Sequence, residues 1–141
     1  ENVVYQDGNC EAIARTNGKV VARHKIVTVG KAVALKAVAD NSDWKADGMD
    51  LQHIRIIAVD SKGRRVPNAV AEVKVNVVGD AQLVAMSNGN INSDELNVTD
   101  HQSLFNGSCL AILRSGVASS PVVVNISAPG LKAAKLKLAT K

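Results

Sequence analysis

Residues 70–78 read VAEVKVNVV, in which Val73, Val75 and Val77 alternate with Glu72, Lys74 and Asn76. Successive side chains of a β-strand point to opposite faces, so a period of two puts the valines on one side and the polar groups on the other. A helix would scatter the same residues round its circumference. The segment has one dry face and one wet face. A chain built from several such segments covers its dry faces by packing one sheet against another.

The rest of the chain repeats this pattern between turn signals. Asn17-Gly18 separates residues 10–15 (CEAIAR) from 19–28 (KVVARHKIVT). Asn-Gly between two apolar runs predicts a hairpin, because both central positions accept a positive φ. Residues 32–39 (AVALKAVA) carry enough alanine for a short helix, but the alternation of Val33, Leu35 and Ala37 predicts an opening strand. Residues 51–60 follow the Asp47-Gly48 turn as a strand with Ile54, Ile56 and Ala58 on one face. Asp60-Ser61-Lys62-Gly63 closes it, and Pro67 marks where the next strand can start.

Residues 82–86 form a short strand, and residues 87–103, polar and rich in Asn and Asp, predict a long loop. Residues 108–114 (SCLAILR) are apolar on both faces, as a central strand is. Residues 122–128 set Val122, Val124 and Ile126 on one side. Pro129-Gly130 then turns the chain into residues 131–139, where Leu136 and Leu138 alternate with lysines. The predicted fold class is all-β: an immunoglobulin-like antiparallel β-sandwich over residues 31–141, with an extra N-terminal β-hairpin. Residues 1–30 are too few to bury a core and read as the last hairpin of a preceding β-sandwich domain. An orphaned hairpin leaves unpaired sheet edge, which invites self-association with a second copy.

Composition narrows the function. At 46% hydrophobic residues the chain can fill a core, and disorder is not expected. The net charge is +4, but the basic residues are scattered: Arg64-Arg65 in a turn, and Lys132, Lys135 and Lys137 along the polar side of the last strand. Nucleic-acid surfaces cluster charge and interleave aromatics, so a nucleic-acid partner is not expected. No stretch approaches the ~20 apolar residues of a membrane span, and none has the form of a signal peptide. The abrupt start at Glu1 reads as a fragment of a longer protein. Cys10 and Cys109 are too few and too distant to define a disulfide, and Cys109, inside an apolar strand, reads as a buried free thiol.

No catalytic, cofactor or metal-binding residue is expected. Asp40, Asp43, Asp47 and Asp50 gather in DNSDWKADGMD, but their spacing departs from the EF-hand loop, and Asp47-Gly48 is explained by a turn. His24, His53 and His101 have no partner at metal-ligand spacing, and no GxSxG elbow is present. Sequons at Asn97, Asn106 and Asn125 are accounted for by chance. Trp44 is conspicuous among three aromatics, with Tyr5 and Phe105. On a loop it could stack on a sugar, but core packing or a contact with another domain is the better reading, since sugar-binding modules need more than one exposed ring.

ADG-x-D-L at residues 46–51, Val59-Asp60, Lys62-Gly63, Val66-Pro67 and Ala69 resemble the recurring pattern of bacterial Ig-like domains, adhesins included. Residues 83–90, LVAMSNGN, with LFNGSCLAILRS and APGLKAAKLKL, resemble the C-terminal Ig-like domain of glycoside hydrolase family 2 proteins of the bacterial β-galactosidase type. Tyr5, Gly8, Asn17-Gly18, Val21-Ala22, Thr28 and Gly30 resemble the closing strands of the sandwich domain before it. Cys10 and His53 depart from the pattern, standing where larger apolar residues are expected. In that family the two catalytic glutamates lie on a barrel far upstream, so the resemblance assigns none here. Glu72 sits on an exposed strand face and Glu95 in a loop, with neither paired. The resemblance implies a non-catalytic accessory module of a periplasmic or extracellular glycosidase, with other domains of that enzyme as its partners. The alternative is an adhesin-type or carbohydrate-binding Ig-like module.

Overall fold

The hairpin turn shows how local chemistry sets the architecture. Asn17 and Gly18 have φ of 49° and 77°, the left-handed pair that a two-residue turn needs to match the twist of its strands. In the computed structural model, which describes Val4 and residues 6–141, this turn joins β1 (Asn9–Thr16) to β2 (Lys19–Val27). Tyr5, one carrier of the family resemblance, lies outside the described residues. The strands are antiparallel, pairing Cys10 with Ile26, Ala12 with His24 and Ala14 with Ala22, with a register shift between Ala14 and Arg15. Thr28 and Gly8 tie the open end, each backbone N–H donating to the other residue. Every residue of both strands is exposed.

Residues 1–30 and 31–141 are two separate compact units. The second holds β3 (Ala34–Ala39), β4 (Leu51–Val59), β5 (Glu72–Val78), β6 (Ala81–Ser87), β7 (His101–Ser103), β8 (Ser108–Ser115), β9 (Pro121–Ala128) and β10 (Leu131–Ala139). The hydrogen-bonded order is β6-β8-β4-β3-β10-β9-β5-β7. The halves β6-β8-β4-β3 and β10-β9-β5-β7 are antiparallel throughout. One parallel pairing, Lys132 with Ala34, joins them.

The two halves share one core. Leu35, Ile54, Ile56, Ala58, Met86, Ala111 and Leu113 come from the first half, and Val73, Val75, Val122, Val124 and Ile126 from the second. This is an all-β, immunoglobulin-like sandwich with an additional hairpin. The alternation predicted for residues 70–78 holds at Val73 and Val75, which are buried between exposed Glu72, Lys74 and Asn76; Val77 is half-buried. The strand at residues 32–39 begins only at Ala34, leaving Val33 46% exposed.

One expectation needs correction. Residues 87–103 are not a loop throughout, because β7 at their end pairs with β5, Val73 opposite Gln102. Three polar residues carry no periodic signal; the pairing comes from the free edge that β5 offers. The reading of residues 108–114 as a central strand holds, since β8 lies inside its sheet between β6 and β4. Its outward Leu110 and Ile112 are only half-buried, however.

Candidate functional site

The acidic run is turn architecture. Asp47 Oδ1 accepts from the backbone N–H of Met49 (2.9 Å) and Asp50 (2.7 Å), closing the turn that Gly48 enters at φ 76°. Those hydrogen bonds, Met49 first, hold the Asp47 carboxyl below its usual range. Asp50 accepts from Lys45 N and Leu51 N, Asp40 pairs with Arg55 at 2.7 Å, and Asp43 pairs with Lys141 at 3.1 Å. Each carboxylate has its own partner, and no group of three metal-ligating side chains occurs among the described residues.

Trp44 lies at the centre of this segment and points inward. It is 1% exposed and donates its indole N–H to the Asp50 carbonyl at 3.1 Å. A buried ring offers no face for a sugar to stack on, so the sugar-contact reading of Trp44 gives way to core packing. Core packing was the better reading from the sequence, although the residues flanking Trp44 are polar.

The motifs that carried the family resemblance interlock on one flank. Asp60 is buried and accepts from Lys62 N, Arg64 N and the Arg64 guanidinium, which approaches to 2.7 Å. Arg65 donates to the Asn106 carbonyl and to Ser108 Oγ. Asn106 and Gly107 form a second turn with positive φ, and a Cβ at Gly107 would meet Val66 O at 2.0 Å. Only glycine fits there. The Asp60, Arg64 and Arg65 side chains of this flank are engaged in holding the two turns together.

Glu95 is the residue that sequence reasoning undervalued. Its Oε2 accepts from Asn88 Nδ2 (3.1 Å), Ser93 Oγ (3.1 Å) and Gln102 Nε2 (2.8 Å), and its Oε1 from Ser103 N at 3.0 Å. Hydrogen bonding from Ser103, with smaller shares from Ser93 and Gln102, lowers its pKa. It is a structural anion that ties residues 87–100 to β7. A general acid needs the opposite shift. Glu72 stands exposed on β5. His101 Nδ1 meets Asp100 Oδ1 at 2.9 Å, which raises the histidine pKa and lowers that of the aspartate.

Both cysteines are free thiols, Cys10 exposed and Cys109 buried. Burial pushes the Cys109 pKa up to about 12, so it stays protonated and is no nucleophile. A surface groove of about 370 Å³ runs past Gly79, Asp80, Gln82 and Arg114. Its two charged side chains are engaged: Asp80 accepts from Ala118 N, and Arg114 donates to Gln82.

The geometry defines a β-sandwich module whose polar clusters brace turns and loops. Residues 35–137 match the glycoside hydrolase family 2 C-terminal domain 5, and the chain belongs to this family. It is 31% identical over 139 residues to the β-galactosidase BoGH2A of Bacteroides ovatus, covering 99% of this chain and 16% of that protein. A β-glucuronidase of Formosa agariphila is 29% identical over 136 residues, covering 94% of this chain and 14% of the relative. The crystal structure of a glycosyl hydrolase family 2 member from Bacteroides cellulosilyticus superposes with a TM-score of 0.95 at 31% identity, over 99% of this chain and 18% of that one. The chain thus spans about a sixth of the length of these relatives, and they align through the hairpin as well as the sandwich.

Proposed function

We propose that this chain is a non-catalytic accessory module at the C-terminal end of a longer glycosidase of family 2, acting on β-galactosides or related β-glycosides in the periplasm or outside the cell. Its work there is structural: it packs against other domains of the same enzyme. The observation that carries this reading is the partial overlap with much longer relatives, 99% of this chain against 16% of the β-galactosidase. The engaged state of Asp40, Asp43, Asp47, Asp50, Asp60 and Glu95 supports it, since a retaining glycosidase needs two carboxylates about 5 Å apart and free to react.

The hairpin fits the same picture as the end of a preceding sandwich. Its ladder places Cys10, Ile26, Ala12, His24, Ala14 and Ala22 on one face, and Glu11, Lys25, Ile13 and Arg23 on the other. Glu11 and Arg23 pair at 3.2 Å. One face is small and mostly apolar, as for burial beneath a second sheet; the other is charged.

The test is hydrolysis of chromogenic β-galactosides and β-glucuronides by this chain and by the longer polypeptide. No chromophore release from this chain, with turnover by the longer one, is expected. Sustained turnover by the pure 141-residue chain would overturn the accessory role, and an inactive longer polypeptide would overturn the glycosidase assignment.

A further inference from the structure

Part of the loop at residues 87–100 turns polar side chains in and aliphatic ones out, beside exposed Asn92, Asp94 and Asn97. The polar side chains of Asn88, Ser93 and Glu95 turn inward and hydrogen-bond one another, and Glu95 also binds Gln102 and Ser103 of β7. Met86 N donates to Asn97 O, fastening the far side of the loop to β6. The aliphatic side chains point out: Ile91, Leu96 and Val98 are 95%, 77% and 84% exposed. Single exposed aliphatics are ordinary on a protein surface. Three within eight residues, on a loop braced from inside by a carboxylate, mark a contact surface.

We propose that the outer side of this loop docks on an apolar surface of another domain of the same polypeptide, an inference that rests on reading the chain as part of a longer glycosidase. Chain length favours that occupant, because 84% of the matched β-galactosidase lies outside the region this chain covers, given its 16% share. Area favours it too. Three aliphatic side chains at these exposures offer about 400 Å², half of the roughly 800 Å² that each partner gives to a stable dimer, yet enough for one side of an intrachain domain contact. Within one polypeptide the covalent link supplies the missing effective concentration. A glycan occupant fits poorly, because residues 87–100 hold no aromatic ring and the Glu95 carboxylate is turned inward.

The test introduces Leu96→Cys or Val98→Cys into a Cys10→Ser background, in which Cys109 stays buried. Maleimide labelling rates, each normalised to the urea-unfolded protein, are compared between this chain and the longer polypeptide. Labelling slower by about tenfold at both positions in the longer polypeptide is expected, a protection of about 1.4 kcal/mol. Equal rates in the two proteins would overturn the proposal. Slow labelling in the 141-residue chain that accelerates on dilution would overturn it in favour of a second copy. Glycoside hydrolysis by the longer polypeptide is measured alongside. An active enzyme with a freely labelled loop sinks this inference alone, while a protected loop on an inactive polypeptide sinks only the glycosidase assignment.

Discussion

Replacing Trp44 separates a core role from a ligand-contact role. Trp44→Ala removes an indole that is 1% exposed, packed in the sandwich core and hydrogen-bonded to the Asp50 carbonyl. A tryptophan buries about 150–250 Å², and at about 25 cal/mol per Å² that corresponds to about 4–6 kcal/mol. Partial collapse of the cavity brings the expected loss to about 3–5 kcal/mol, as for other large aromatics replaced in cores. Trp44→Phe keeps most of the volume and loses the N–H donor, so about 1–2 kcal/mol is expected. Domains of this size are stable by about 5–15 kcal/mol, so the alanine variant should sit near the edge of folding. Trp44 is the sole tryptophan, so urea unfolding is followed by far-ultraviolet circular dichroism rather than fluorescence. The midpoint should fall in the order wild type, Trp44→Phe, Trp44→Ala, with an unchanged slope. A Trp44→Ala midpoint equal to wild type would refute the burial argument.

Val75→Ala should destabilise by about 1–3 kcal/mol, since Val75 is 2% exposed, while exposed Lys74→Ala should stay within about 0.5 kcal/mol of wild type; equal midpoints would invalidate the inward and outward assignment. Deleting residues 1–28 should leave a cooperative β-domain by thermal melt and should weaken any self-association seen by light scattering; an unfolded truncated chain would mean the hairpin belongs to the sandwich. Glu95 has a folded pKa below its ordinary 4.5, so its contribution is present above that value and lost as pH falls through the folded one. Amide exchange at Ser103 should therefore gain an acid-dependent opening below pH 4.5, absent in Glu95→Gln. The same opening in Glu95→Gln would assign it to another group.

The valines of residues 70–78, the isoleucines of residues 51–60 and the Asn17-Gly18 turn were legible because their signals are local. A period of two sorts a strand's faces, and a positive φ selects the residue that tolerates it. Strand β7 and the bond network of Glu95 were not legible. Gln102 becomes a strand residue only because β5 presents an open edge to it, and Glu95 finds donors seven residues upstream, at Asn88, and seven and eight downstream, at Gln102 and Ser103. Trp44 had two readings in the sequence, core or surface ring. Its burial belongs to the assembled core, which joins residues of both halves. Local chemistry determined the turns and the strands other than β7. Which polar groups meet, and which side chains remain uncovered, was decided by non-local pairing, since those contacts exist only after both sheets have closed.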